Sequence, residues 1–158
     1  MNPAVFIDAN VPIYAAGRDH PYREPCARIL RVLADAPQPF VTSSEVLQEI
    51  MHRYLASGRW NLGREVVRAF AEAMRGRVEP VQGEDVILAT ELADRHPGIS
   101  ARDLVHAAVM QRLGVSRVIS ADTDFDRLEG IERLDPARIE EWEDSIPTAD
   151  EDSDSGAR

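Results

Sequence analysis

Five acids carry the chemistry open to this chain: Asp8, Glu49, Asp103 and the pair Asp122 and Asp124. Most stand where an apolar strand or helix should end. Val5-Phe6-Ile7 runs straight into Asp8, and Val118-Ile119-Ser120 leads into the loop that carries Asp122 and Asp124. Carboxylates at the carboxyl ends of parallel strands converge on the crevice where open α/β sheets bind ligands. Gathered in one crevice they repel each other, which raises their pKa values unless a cation sits among them. The economical expectation is a divalent-metal site built from Asp and Glu oxygens.

The elements that must position these acids alternate between strand and helix, the pattern of a mostly parallel sheet of four to five strands flanked by helices. The first strand is expected at residues 4–7, followed by a helix at 11–16 that Asn10 can cap and in whose first turn Pro12 is tolerated. A polar turn from Gly17 leads to a helix near 25–34, and Pro37 and Pro39 precede a short strand at 40–42. An amphipathic helix near 43–57 places Val46, Leu47, Ile50, Met51, Tyr54 and Leu55 at apolar spacing, and Gly58 stops it. Helices near 62–75, 84–95 and 101–113, strands at 77–81, 118–120 and 131–134, and a closing helix from Pro136 to Trp142 complete the pattern.

The composition fits one domain, expected over residues 1–144 and followed by an acidic, disordered tail over 145–158. No stretch reaches the roughly 18 apolar residues of a membrane span. No basic leader precedes the first apolar run, so a signal peptide is not expected. The single cysteine, Cys26, excludes an internal disulfide, suits a reducing cytoplasm and falls on an apolar helical stripe, where packing is its expected role. The net charge of −10 would ordinarily argue against a nucleic-acid partner. Its distribution removes that objection: residues 140–158 hold eight acids and one arginine, a net of −7, leaving only −3 on the other 139 residues. Bound divalent cations would make that body slightly positive. All 18 basic residues are arginine, a better bidentate phosphate ligand than lysine, although genomic base composition explains a lysine-free chain more simply.

Each acid also has a plainer role. Asp8 could be a turn residue, but Asn10 is the better cap and leaves Asp8 free. Glu49 borders the apolar stripe three residues after Val46, where a carboxylate is costly unless paired; Arg53 at i+4 could pair it, and Glu45 is the rival ligand. Ser100 and Asp103 match a capping box, a role that coexists with a site because a helix N-terminus holds a carboxylate ionised. Asp122, nearest the strand end, is preferred as a metal ligand, with Asp124 second, through water, and Asp126 a surface acid. No Gly and bidentate Glu follow at calcium-loop positions. The four histidines show no zinc-ligand spacing; His106, one turn after Asp103, could orient it or face the cleft, but packing is its expected role.

Taken in order, these residues resemble the PIN-domain nucleases, and specifically the toxin ribonucleases of VapBC toxin–antitoxin pairs. The similarity runs from Phe6-Ile7-Asp8-Ala9-Asn10 through Thr42-Ser43-Ser44-Glu45-Val46-Leu47-Gln48-Glu49-Ile50 to Ala101-Arg102-Asp103-Leu104-Val105-His106-Ala107-Ala108. It continues in Ile119-Ser120-Ala121-Asp122-Thr123-Asp124-Phe125 and closes at Leu134-Asp135-Pro136, covering about residues 4–142. The resemblance implies that Asp8, Glu49, Asp103 and Asp122 form an acidic quartet, with Asp124 as a fifth acid and Asn10 and Ser120 supporting it. Serine at 120, where threonine is common in the family, keeps the hydroxyl. Also implied are cleavage of single-stranded RNA dependent on Mg²⁺ or Mn²⁺, homodimers, a neutralising antitoxin and a cytoplasmic setting. Arg53 and Arg102 are candidates to hold RNA phosphates, or else surface ion-pair partners. The acidic tail lies outside the family pattern.

Two other readings compete. Phosphoacceptor and aspartyl-phosphate enzymes also place aspartates at strand ends, but they use a lysine that this chain lacks and an Asp-x-Asp where it has Asp-Ala-Asn. A PIN-fold binding partner that has lost catalysis is the stronger rival. Carboxylates at every quartet position weigh against it.

Overall fold

The computed structural model describes residues 2–147. Five parallel strands form one sheet: β1 (Asn2–Ile7), β2 (Phe40–Ser43), β3 (Val78–Glu79), β4 (Val115–Ile119) and β5 (Glu132–Leu134), in the order β3-β2-β1-β4-β5. The alternation of strand and helix therefore does build the expected parallel α/β sheet. Parallel strands covered on both faces read as continuous apolar runs, and Val5, Phe6 and Ile7 of the central β1 are fully buried. The chain winds outward from β1 to β2 and β3, then returns to the other side of β1 for β4 and β5. The strand order thus reverses between β1 and β4, and the crevice at their carboxyl ends is where such a sheet takes a ligand.

Helices α1 (Asn10–Ala15) and α2 (Arg23–Asp35) join β1 to β2, and α3 (Ser44–Ala56) and α4 (Trp60–Ala73) join β2 to β3. Helices α5 (Gly83–Arg95) and α6 (Ala101–Leu113) carry the chain back to β4. The side chain of Ser43 caps α3 by accepting from the Val46 amide, and Ser100 caps α6 by accepting from the Asp103 amide. Gly114, at φ 71°, ends α6 in the left-handed conformation that lets β4 begin on the next residue. After β5 a 3-10 turn at Pro136–Arg138 runs into α7 (Ile139–Trp142).

Three local expectations change. Asn10 does not cap α1: the preceding position is Ala9, with no side-chain cap bond, and the Asn10 amide is used elsewhere. Met51 and Leu55 are 43% and 49% exposed, so the buried face of α3 is the narrower stripe of Val46, Ile50 and Tyr54. Order also continues into the expected tail: Arg117 donates to the Ser145 hydroxyl at 2.6 Å and Ile146 packs on the core. The rest of that tail, 148–158, lies outside the described residues.

Helix α4 sets the position of α3, and so of Glu49, through Gly63. A Cβ at Gly63 would overlap Cγ of Tyr54 and also its Cβ, which the backbone fixes and no rotamer change can swing aside. Glycine inside a helix costs about 1 kcal/mol against alanine, and close approach of the two helices is the compensation. Gly63→Ala should therefore lower stability by roughly 1–3 kcal/mol, the usual cost of overpacking, as read from urea unfolding. An unchanged or higher midpoint would show that α3 and α4 can move apart freely.

Candidate metal centre

Asp8 leaves β1 at the strand-order reversal and is only 3% exposed. Its Oδ1 accepts from the Ala9 amide at 2.7 Å. Its Oδ2 accepts from the Ser120 hydroxyl at 2.6 Å and from Asn10 Nδ2 at 3.2 Å. Asn10 Nδ2 also donates to Ser120 Oγ at 3.0 Å, and Asn10 Oδ1 accepts from the Ala121 amide at 3.2 Å. Ser120 Oγ accepts in turn from the Asp122 amide at 3.0 Å, and Asp122 Oδ1 from the Asp124 amide at 2.9 Å. One network thus joins the ends of β1 and β4 and fixes the directions of Asp8 and Asp122.

Two further helices complete the cleft. Asp103, in the first turn of α6, is buried, and its carboxylate lies within 4.8 Å of that of Asp122. Glu49 on α3 is 16% exposed at its side chain and faces His106 of α6, whose Nε2–H donates to Glu49 Oε2 at 3.2 Å. Asp8, Asn10, Glu49, Arg53, Arg102, Asp103 and Asp122 line a hollow of about 420 Å³. Within it, potential ligand atoms fall into two groups, each spanning no more than 4.8 Å: Asp8, Glu49 and His106, and Asp103, Asp122 and Asp124. Glu45 lies outside the hollow's lining and faces Arg102 Nε at 3.5 Å. Arg102 also reaches Glu49 at 3.6 Å, so carboxylates hold its guanidinium, whereas Arg53 has no carboxylate partner among the described residues. Asp126 is exposed, as expected of a surface acid, and pairs with Arg133 at 3.0 Å.

The sequence offered His106 as a residue that could face the cleft but favoured packing; the structure gives it both roles. Its ring is fully buried against Phe6, and Nε2 lies 3.7 Å from Asp8 Oδ1 as well as against Glu49, while Nδ1 has no partner among the described residues. The signal was its position one turn after Asp103, which puts both side chains on one face of α6.

Comparison with known proteins follows the same residues. The PIN domain family profile matches residues 5–131, from β1 to just before β5. The chain belongs to the PIN domain family. Among curated proteins it is 40% identical over 121 residues to Ribonuclease VapC23 of Mycobacterium tuberculosis, covering 75% of this chain and 92% of that protein. It is 37% identical over 133 residues to Ribonuclease VapC13 of the same organism, covering 82% and 98%. The fold is also that of solved structures at lower identity. The M. tuberculosis VapC20, a sarcin-ricin loop cleaving toxin, aligns with TM-score 0.62 at 22% identity over 78% of this chain and 94% of that one. A toxin–antitoxin complex from Klebsiella pneumoniae aligns with TM-score 0.58 at 16% identity over 84% and 98%. The matched span of this PIN domain contains Asp8, Glu49, Asp103, Asp122 and Asp124.

The electrostatics of the cleft are those of a site that wants a cation. Burial first, then the charges of Asp8 and Asp122, push the Asp103 carboxyl from 3.8 up to about 7. Burial likewise holds Asp8 above its ordinary value, against the pull of His106. Burial alone would strip His106 of its proton, but its hydrogen bond to Glu49 and the charges of Asp8, Glu49 and Asp103 raise its pKa. Burial also opposes the charge on Glu49, yet the His106 bond and charge, with Arg102 and Arg53, hold its pKa down. Hard carboxylate oxygens around uncompensated negative charge fit an oxygen-seeking divalent cation such as Mg²⁺ or Mn²⁺.

The pH dependence of stability follows. Asp103 keeps a proton in the folded state that the unfolded chain releases near 3.8, so it destabilises progressively as pH rises from there towards 7. His106, with its pKa raised from 6.5, loses its stabilising contribution in the same direction. Glu49 and Asp85, with pKa values lowered from 4.5 and 3.8, act oppositely but only in the acid range below those values. The melting temperature in EDTA should therefore fall between about pH 5 and about pH 7.5, and millimolar Mg²⁺ or Mn²⁺ should reverse the fall. Asp103→Asn should flatten the profile. A melting temperature that rises over this window in wild type would contradict the assignment.

Proposed function

We propose that this PIN domain is a metal-dependent endoribonuclease, the toxin of a toxin–antitoxin pair. The observation that carries the reading is the convergence of Asp8, Glu49, Asp103 and Asp122, from β1, α3, α6 and the loop after β4, on one cleft. The ribonuclease names of VapC23 and VapC13 supply the substrate class. Asp8, Asp103, Asp122 and Glu49 would hold Mg²⁺, for which Mn²⁺ can substitute, with Asp124 as an outer ligand. A divalent ion bound there supplies activation of water and charge stabilisation at the phosphate.

The side chains of the chain position the rest. Ser120 and Asn10 keep Asp8 turned to the cleft, and His106 holds Glu49 ionised and oriented. Arg53, free of carboxylate partners among the described residues, takes a phosphate oxygen of the RNA; Arg102 borders the cleft but is already drawn to Glu45 and Glu49. In the reaction the water oxygen bonds to phosphorus, the bond from phosphorus to the 3′-oxygen breaks, and that oxygen takes up a proton. The products are a 5′-phosphate and a 3′-hydroxyl.

The same reading places the antitoxin and a second copy. Pro12, Ala15, Leu30, Val66 and Phe70, from α1, α2 and α4, line an apolar groove of about 450 Å³. Helix α1 connects it to the acidic cleft, since Asn10 lies in one and Ala15 in the other. An antitoxin segment seated in the groove can extend a basic side chain among the acids and block the cation site. Met51 and Leu55, exposed one turn apart on α3, offer apolar surface to a homodimer. A cytoplasmic setting accords with the RNA substrate.

Asp8→Asn removes a charge but keeps the shape and a hydrogen-bonding side chain. It should reduce cleavage of single-stranded RNA by roughly a hundredfold or more, beyond the usual cost of losing a residue that only supports a ligand, with the circular dichroism spectrum unchanged. Undiminished cleavage by purified Asp8→Asn protein would sink the mechanism.

A further inference from the structure

A second hollow, of about 310 Å³, opens beside the acidic cleft and has the opposite character. Tyr14, Arg18, His20, Arg53, Tyr54 and Arg59 contribute to its wall, and no carboxylate does. Arg53 lines both hollows. It stands one helical turn beyond Glu49 on α3, so the second hollow begins about 6 Å along that helix from the acids.

We infer that this hollow is a nucleotide subsite, binding the residue next to the scissile phosphate of a single-stranded RNA. The inference rests on the ribonuclease reading and extends it to how the strand is held. Its first support is charge. Arg28, Arg31, Arg112 and Arg133 are paired with carboxylates, whereas Arg18, Arg53 and Arg59 have no such partner among the described residues and face one concavity. In a chain of net −10, guanidiniums left unneutralised together form a place for an anion. Arg59 is also steadied, with its guanidinium carbon 5.8 Å from the centre of the Tyr54 ring.

The second support is an aromatic wall. The rings of Tyr14 and His20 stack at 4.8 Å and 26°, and Tyr22 lies against both, at 5.2 Å and 5.8 Å. His20 is exposed, and its Nδ1 accepts from the Tyr22 amide at 3.1 Å, which leaves Nε2 free to donate. Guanidiniums that follow a backbone, combined with aromatic rings that accept a base, are how proteins hold single strands without reading their sequence. A phosphate contacts Arg53 and its neighbours Arg18 and Arg59, while the attached base lies against Tyr14 and His20.

The test separates this subsite from the parent reading. Arg18→Ala/Arg59→Ala and His20→Ala change exposed side chains and spare Arg53, which borders the catalytic cleft. Each is placed in an Asp8→Asn background, and binding of a fluorescein-labelled single-stranded RNA of mixed sequence is followed by fluorescence anisotropy with Mg²⁺ present. Each variant should raise Kd about tenfold. The arginine double variant should also reduce the slope of log Kd against log salt by roughly 0.7 for each phosphate no longer neutralised. In the catalytically intact background both should raise KM for RNA cleavage with little change in kcat. Unchanged Kd and salt slope, with wild-type cleavage of RNA intact, would overturn the subsite and leave the nuclease standing. Failure of wild type to cut total RNA with either Mg²⁺ or Mn²⁺ would overturn both.

Discussion

Repulsion among buried carboxylates is the constraint around which this PIN domain is arranged. Asp8 and Asp103 are buried close to Asp122 and Glu49, and their pKa values are displaced upward as burial and mutual charge dictate. Such a cluster would turn outward to solvent if its members were free. The apolar β1 anchors Asp8 from behind, the Ser100 cap fixes the first turn of α6 under Asp103, and the Ser120–Asn10 network binds the two strand ends together. Hydrogen bonds to a carboxylate are the strong kind, which is why three donors on Asp8 can hold it where its charge is unwelcome.

His106 gives that constraint a partial answer from within the protein. Glu49 and the neighbouring acids raise its pKa, which favours a positive charge beneath the cleft. The remaining negative charge faces the hollow, where a divalent ion would neutralise it. A step along α3, at Arg53, the surface changes sign: acids that collect a cation give way to guanidiniums that suit a phosphate backbone. On the proposed reading, the groups for the ion and those for the RNA strand are one helical turn apart.

Much of this was legible in the chain. Apolar runs that stop at Asp8 and before Asp122 marked the strand ends, and Ser100 marked the start of α6, because these signals are local. What was not legible depends on partners distant in sequence. Asn10 reads as a helix cap, but Ser120 and Ala121, over a hundred residues away in sequence yet beside it at the end of β4, compete for its amide and win. Met51 and Leu55 fit the apolar period of α3, yet periodicity cannot say how wide a stripe the neighbouring elements will cover. Glu45 and Glu49 differ by one turn, and only the position of α6 brings His106 to Glu49. His106 itself looked like a core residue, which by burial it is. Its second character comes from the acids that other elements deliver to its Nε2.

The most direct measurement is cleavage of a total-RNA pool by purified wild-type and Asp103→Asn protein, with Mg²⁺, with Mn²⁺ and with EDTA, followed by mapping of the product ends. The account predicts cutting by wild type only, abolished by EDTA, with 5′-phosphate and 3′-hydroxyl termini. Cutting that persists in EDTA, or that Asp103→Asn performs as well as wild type, would contradict it.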